Sequence, residues 1–144
     1  MMKFILITLF SLVVYAVIAG FFPDTHASQP PPSASIVRGK KVYETYCLAC
    51  HQADGTGVTR LNPPLVKTSY VLGDKKVLIG IVLNGLDEAI EIDGDTYSNV
   101  MASHDFLKDQ EIADVLTYVR NSFGNKASVV TPEEVAKIRA ANKK

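Results

Sequence analysis

Two cysteines and one histidine form the most informative stretch of the sequence. Cys47 and Cys50 are the only cysteines among 144 residues, and His51 follows the second one directly. Residues three apart on a helical turn lie on one face, so both thiols can face the same edge of one ligand. Cys-x-x-Cys-His is the attachment motif of c-type haem, in which each sulfur adds to one vinyl group. We therefore predict one covalent haem, with His51 as the proximal iron ligand.

Two other interpretations of this motif have to be weighed. A structural zinc site needs a fourth ligand, and the sequence has no second Cys-x-x-Cys or His-x₃-His cluster to supply it. A thioredoxin-like dithiol requires an apolar strand before the motif and a helix after it. Here a helical pattern precedes Cys47, and a polar loop with Gly55 and Gly57 follows His51. This context favours haem.

Length and charge restrict the class of protein. A chain of 144 residues suggests one small domain with a leader. Lys and Arg total 15, and Asp and Glu also total 15, so the formal net charge is zero. This balance gives no electrostatic reason to expect binding to nucleic acid.

The N-terminal region predicts export from the cytoplasm. Residues 4–22 contain no charged side chain and follow Lys3. This run is longer than the ~7–15 apolar residues of a cleavable signal and close to the ~20 of a spanning helix. We predict that residues 1–27 are a signal peptide, or else an N-terminal membrane anchor that is retained. Residues 28–35, which include three consecutive prolines, are expected to form an extended linker.

The remaining residues, 36–144, predict a small all-α domain of four to five helices. Ser35 is a candidate N-cap for the first helix, Asp74 for the second, and Thr131 opens a capping box for the last. Expected helices cover residues 36–46, 75–84, 109–123 and 132–142. The side chains expected to face the core are Ile36, Val37, Val42, Tyr43 and Tyr46 in the first helix, Val77, Leu78, Ile81 and Val82 in the second, and Ile112, Val115, Leu116, Val119 and Phe123 in the third.

A short β-hairpin is expected between the second and third of these helices. Residues 89–97 alternate about Asp93 and Gly94, which is a typical hairpin turn. Five acidic residues and no basic residue lie within residues 86–97, namely Asp87, Glu88, Glu91, Asp93 and Asp95. Such a stretch is most often a solvated edge, and a docking surface for a partner is the alternative.

Two further positions have a structural interpretation. Gly39 lies inside the first helix, where glycine costs about 1 kcal/mol relative to alanine. It marks either a close helix crossing or an incidental weak position. The proline-rich segment after the motif is placed to offer a backbone carbonyl to His51 Nδ1, which would fix the tautomer of the imidazole.

Taken in order, these features resemble a class I c-type cytochrome over residues 36–124. The matching residues are Gly39, Tyr43, the Cys47–His51 motif, Asp54–Gly57, Asn62–Leu65, Met101, Leu107 and Glu111–Arg120. The resemblance implies that the first and last core helices cross beside the haem, with Gly39 and Tyr43 against Leu116 and Val119. It also implies that a carbonyl within residues 62–64 bonds His51, so Pro63 and Pro64 are candidate haem-site residues. Residues 131–142 then form a helical extension of the core.

Met101 is the sixth iron ligand that the resemblance implies. It is the only methionine beyond Met1 and Met2, which belong to the leader. His104 lies close in sequence and is the rival ligand. Many bacterial relatives have proline after this methionine, whereas this chain has Ala102.

The function expected from this resemblance is electron transfer. Iron held by His51 and a thioether has no open position for a substrate, so we expect a periplasmic monohaem electron carrier that is not an enzyme. Redox partners would be a periplasmic dehydrogenase, a nitrite reductase or a terminal oxidase. The alternative is a haem enzyme or gas sensor of peroxidase type, whose distal side is open or weakly ligated.

Overall fold

A computed structural model describes residues 32–142 of the chain. The described elements, in chain order, are α1 (Pro32–Tyr46), α2 (Leu48–His51), α3 (Ser69–Leu72), α4 (Lys75–Asn84), β1 (Ile90–Ile92), β2 (Asp95–Tyr97), α5 (Asp109–Arg120) and α6 (Pro132–Asn142). The predicted all-α fold with a short hairpin before Met101 is confirmed. The expected leader, residues 1–27, and the first part of the expected linker lie outside the described residues. No helix within residues 32–142 has the length and apolar character needed to cross a membrane.

The start of α1 differs from the prediction. Residues 32–35 are helical, so they do not form the extended linker that we expected. Ser35 is therefore not an N-cap. It lies inside α1, where its hydroxyl group hydrogen-bonds the buried carboxylate of Asp114 in α5. Pro32 is compatible with this helix, because a proline in the first turn of a helix loses no backbone hydrogen bond.

The crossing of α1 and α5 is the main helix contact of the domain. A Cβ atom on Gly39 would overlap the carbonyl oxygen of Asp114 and would lie only 2.8 Å from Tyr118 Cβ. Gly39 thus marks a close crossing, at Asp114 and Tyr118 rather than at Leu116 and Val119. Beside it, Arg38 Nε and Nη2 donate to the two carboxylate oxygens of Asp114 at 2.6 and 2.7 Å.

An aromatic cluster continues the same interface. The ring of Tyr43 lies 5.4 Å, centroid to centroid, from the rings of both Tyr118 and Phe123. Its hydroxyl group donates to the carbonyl oxygen of Gln52 at 2.7 Å. Tyr43 is 1% exposed, so its ring lies at the centre of the core.

Most of the predicted core-facing side chains are buried or partly buried, but three are exposed. Val37 is 61% exposed, Val77 50% and Tyr46 46%. Our prediction for Val37 and Val77 is wrong; in α4 the buried face is shifted by one residue, to Leu78, Ile79, Val82 and Leu83. Tyr46 lines the cavity described below. In α5, by contrast, Ile112, Val115, Leu116 and Val119 are all buried as predicted.

The end of α5 also differs from the prediction. The helix ends at Arg120, three residues before Phe123. Phe123 has a left-handed backbone (φ 57°) that returns its ring to Tyr43 and over Gly55, where a Cβ atom would lie 2.6 Å from the ring. Tertiary packing, and not Gly124, therefore sets this helix terminus.

The remaining elements follow their local sequence signals. Asp74 caps α4 through a hydrogen bond from Lys76 N at 2.8 Å. In the hairpin, Ile90 pairs with Tyr97, and both Asp93 (φ 52°) and Gly94 (φ 86°) are left-handed, as a two-residue type I′ turn requires.

The capping box at the start of α6 is present as predicted. Thr131 N donates to Glu134 Oε2 at 2.9 Å, and Glu134 N donates to Thr131 Oγ1 at 3.3 Å. Val135 is fully buried where α6 packs on α4 and α5. Lys75 and Glu134 form an ion pair that joins the first turn of α4 to the first turn of α6.

Candidate cofactor site

The Cys-x-x-Cys-His motif folds into a single tight helical turn directly after α1. The carbonyl oxygen of Cys47 accepts hydrogen bonds from Cys50 N at 3.2 Å and His51 N at 2.9 Å. This turn places both thiols and the imidazole on the wall of one cavity of about 370 Å³. Because α1 leads straight into Cys47, a helix occupies the place of the strand that a thioredoxin-like dithiol requires.

The two cysteines differ in their surroundings. Cys50 is exposed, whereas Cys47 is half-buried against the core. Burial, with a smaller contribution from Cys50, raises the pKa of the Cys47 thiol to about 11. Cys47 therefore lies on the inner side of the cavity wall and Cys50 on the outer side.

The imidazole of His51 is fixed by a backbone acceptor. His51 Nδ1 lies 2.9 Å from the carbonyl oxygen of Pro63, so Nδ1 carries the proton and Nε2 keeps its lone pair. Burial lowers the pKa of His51; the hydrogen bond to Pro63 opposes this shift, and the charge of His104 adds to it. The neutral imidazole is the form that binds a metal.

The loop after the motif holds Pro63 in this position. Gly57 N donates to His51 O at 3.1 Å, and Leu65 N donates to Gly55 O at 2.7 Å. Gly57 has a left-handed backbone (φ +65°), and a Cβ atom there would lie 2.7 Å from the carbonyl oxygen of Pro63. Glycine is required at this position because the loop passes so close to the acceptor of His51.

Met101 reaches the same cavity from a separate segment. It forms an isolated antiparallel bridge with Leu86, with N–O distances of 2.8 and 2.9 Å. The next residues are tied to the end of α4, because Ser103 Oγ donates to Leu83 O at 2.6 Å and His104 N donates to Val82 O at 2.9 Å. Met101 is partly buried against the core cluster.

His104 also lines the cavity. Its Nδ1 lies 2.9 Å from the carbonyl oxygen of Ala102, and its ring lies 5.7 Å from that of Phe106. The structure therefore brings both candidate sixth ligands, Met101 and His104, to the same cavity.

All six site residues that we predicted line this one cavity, namely Cys47, Cys50, His51, Pro63, Pro64 and Met101. Tyr70, Tyr97 and Asn99 also line it, and our sequence reasoning did not single them out. The alternation along the hairpin could have identified Tyr97, because Ile92 and Tyr97 are the buried residues of its two strands.

The cavity suits a large, flat and largely apolar cofactor. Its walls are mainly aliphatic and aromatic, with contributions from α4, α5 and the hairpin. A volume of several hundred Å³ is normal for a cofactor site. Two thiols on one edge and an imidazole with a free Nε2 are the donor set that covalent haem needs, so these residues fit the predicted group.

Comparison with known proteins agrees with this geometry. The family model named Cytochrome c matches residues 36–123. Cytochrome c-552 of Thermus thermophilus is 39% identical over 111 residues, covering 71% of this chain and 84% of that protein.

Two other relatives are subunits of larger enzymes. The cytochrome c subunit of a quinone alcohol dehydrogenase from Gluconacetobacter polyoxogenes is 31% identical over 127 residues. The cytochrome c subunit of gluconate 2-dehydrogenase from Pantoea cypripedii is 35% identical over 105 residues. The matches cover 81% and 70% of this chain but only 25% and 24% of those two subunits.

Proposed function

Since the chain belongs to the cytochrome c family, whose members carry electrons on covalently attached haem c, we propose that its haem iron is ligated by His51 and Met101. In this proposal Cys47 and Cys50 form the two thioether bonds. The Pro63 carbonyl keeps His51 in the tautomer that binds iron. The protein is an electron carrier and not an enzyme.

One observation carries the proposal of the ligand pair. A single cavity contains the two thiols, the imidazole whose Nδ1 is already hydrogen-bonded, and the only thioether of residues 32–142. When bound, haem c supplies an iron centre that gains and loses one electron. His51 and Met101 together close the iron to substrates, and the soft sulfur of Met101 favours the ferrous state.

The remaining residues of the cavity protect this centre from water. Leu78, Val82 and Leu116 are buried and present apolar surface to the cavity. Few polar groups in such a wall have to reorient when the charge of the iron changes, which keeps the barrier to electron transfer low.

We also propose a location and a class of partner. The expected leader at residues 1–27 supports placement in the periplasm, either free or held to the inner membrane by residues 4–22. The matched dehydrogenase subunits support a periplasmic dehydrogenase as the redox partner. A nitrite reductase or a terminal oxidase is the alternative redox partner.

Carbon monoxide binding to the ferrous holoprotein tests the ligand pair. A closed His/Met centre does not bind carbon monoxide readily at neutral pH, whereas the open centre of a peroxidase-type enzyme or gas sensor does. Met101→Ala should open the iron to carbon monoxide, or lower the potential markedly if His104 takes its place, since axial ligands span up to about 0.8 V.

His104→Ala is the matched control, because this side chain lines the same cavity three residues further along the same segment. It should leave the spectrum and the potential nearly unchanged. The opposite pattern, in which His104→Ala opens the iron and Met101→Ala does not, would establish bis-histidine ligation instead.

A further inference from the structure

Helix α6 lies beyond residues 36–123, which match the family model, and it contacts the segment that follows Met101. We propose that Arg139 in α6 is a positioning residue for the sixth iron ligand. It holds the chain that follows Met101 against the domain and so keeps the thioether in the cavity. This inference rests on the proposed ligation by Met101.

The guanidinium group of Arg139 makes three hydrogen bonds to one short segment. Nε donates to Asp109 Oδ1, Nη1 to the carbonyl oxygen of Asp105 and Nη2 to that of Leu107, each at 2.7 Å. The planar fork of an arginine suits three acceptors in a fixed arrangement, and charged donors make the stronger hydrogen bonds. The segment from Asp105 to Asp109 is thus fixed to α6 by one side chain.

That segment is continuous with Met101 and forms part of the cavity. Leu107 is 4% exposed and lines the same cavity as Met101. The chain from Ala102 to Lys108 contains no helix or strand, so its position depends on what holds its two ends. Arg139 holds the far end.

The near end is held by α4, which α6 also contacts. Met101 bridges Leu86, and His104 N donates to Val82 O. Lys75 at the start of α4 pairs with Glu134 in α6 and donates to Val129 O at 3.1 Å. Helix α6 therefore contacts both ends of the ligand segment, directly through Arg139 and indirectly through α4.

The ligand segment has little rigidity of its own. Ala102 follows Met101 and does not restrict φ as a proline would. The residues from Ala102 to Phe106 are exposed apart from His104, and Ser103 is held by its hydrogen bond to Leu83 O. External contacts such as those of Arg139 therefore decide how often Met101 leaves the iron.

Imidazole binding to the ferric holoprotein measures that frequency. Added imidazole replaces Met101 only in molecules whose ligand segment is open, so its apparent affinity rises in proportion to the open fraction. For Arg139→Gln we expect roughly ten-fold tighter imidazole binding, equivalent to about 1.4 kcal/mol. The thioether-to-iron charge-transfer band at the red end of the ferric spectrum should weaken with it. Arg139→Lys keeps the charge but not the planar group of donors, so its imidazole affinity should lie between those of the unmodified protein and Arg139→Gln.

Arg38→Gln is the matched control for a loss of stability. It also removes an arginine that makes paired hydrogen bonds to a carboxylate, but between α1 and α5 at Asp114. It should lower the unfolding midpoint without changing imidazole affinity, when both are measured at a temperature where all variants are folded.

Other variants are used if either arginine variant fails to fold. Asp109→Asn then replaces Arg139→Gln, and Lys137→Gln, at an exposed position, replaces Arg38→Gln.

The outcomes separate this inference from the proposed function. If Met101→Ala leaves imidazole affinity unchanged even when His104→Ala is combined with it, Met101 is not the ligand, and both proposals are overturned. If Met101→Ala tightens binding but Arg139→Gln does so no more than the control, only the role of Arg139 is overturned. The inference is supported if Arg139→Gln tightens imidazole binding more than the control does. It should cause no further tightening in the Met101→Ala background.

Discussion

Gly39 in α1 lies directly against the peptide carbonyl of Asp114 in α5, where the two helices cross. A methyl group at this position would overlap the backbone of α5. We expect Gly39→Ala to reduce the free energy of unfolding by about 2 kcal/mol or more, since overpacking a close contact outweighs the better helix propensity of alanine. Denaturant unfolding of the holoprotein provides the measurement.

Gly80 in α4 is the control for this substitution. It is also a glycine inside a helix, but no atom beyond the adjacent turns of its own helix lies within 4 Å of where its Cβ atom would be. Gly80→Ala should therefore stabilise the protein by about 0.5–1 kcal/mol. Equal effects at the two positions would show that the crossing adapts to a methyl group at no cost.

Haem attachment should depend on each cysteine separately. Cys47→Ala or Cys50→Ala leaves at most one thioether bond, so acidified organic solvent should extract part of the haem. Unmodified protein should retain all of it through a denaturing gel, with its mass increased by one haem. Complete release of haem from the unmodified protein would contradict the covalent assignment.

The acidic stretch of residues 86–97 can be tested as a docking surface. Glu88 lines the cavity, and Asp87, Glu91 and Asp93 are exposed beside it. We expect electron transfer to a cationic ruthenium ammine oxidant to slow as salt is added, because the Debye length falls to about 8 Å at physiological ionic strength.

Replacing these four acids by their amides should remove most of that salt dependence. Asp95 is left unchanged because it pairs with Arg60 at 3.2 Å. Glu44→Gln, in the exposed part of α1, is the control. If the rate does not vary with salt in the unmodified protein, this stretch is a solvated edge and not a docking surface.

Tyr43 should make the domain sensitive to alkali. Burial raises the pKa of Tyr43 well above its ordinary value of 10.0, so the unfolded chain loses this proton at lower pH than the folded one. Stability contributed by the neutral phenol is complete below pH 10 and is lost as the pH rises further. Tyr43→Phe should cost about 1 kcal/mol at pH 7, through the lost bond to Gln52 O, yet show a smaller decline above pH 10. Denaturant unfolding between pH 7 and 11.5 gives the free energy of unfolding, and Tyr46→Phe, at an exposed tyrosine, is the control. If this free energy falls equally with pH in the unmodified protein and in both variants, the prediction is wrong.

Local signals in the sequence predicted the parts of the fold that local forces determine. The capping box of Thr131 and Glu134 and the Asp93–Gly94 turn depend on residues within a few positions of each other. The core face of α5 follows from helical periodicity alone. The haem motif is equally local, because Cys47, Cys50 and His51 share one turn of helix.

Contacts between distant segments were beyond such reasoning. Asp114, Thr117 and Arg120 are polar residues on α5 that periodicity would place in solvent, yet all three are buried. Asp114 is paired with Arg38, 76 residues earlier in the chain, and Arg120 Nη1 donates to Val71 O, 49 residues earlier. No pattern within one element identifies such partners, and this is also why the partners of Arg139 were not identified from the sequence.

The pairing of α1 with α5 also sets an order in which the domain can form. These two helices make the most extensive contact of the described chain, yet some 62 residues separate the end of one from the start of the other. Closing a loop of that length has to precede the burial of Tyr43, and contacts of this range slow folding. A growing chain that stops short of residue 109 has no surface on which α1 can bury its aromatic side, so it stays open. In the export proposed above, such a delay would keep the chain extended until it has crossed the membrane and can receive its haem.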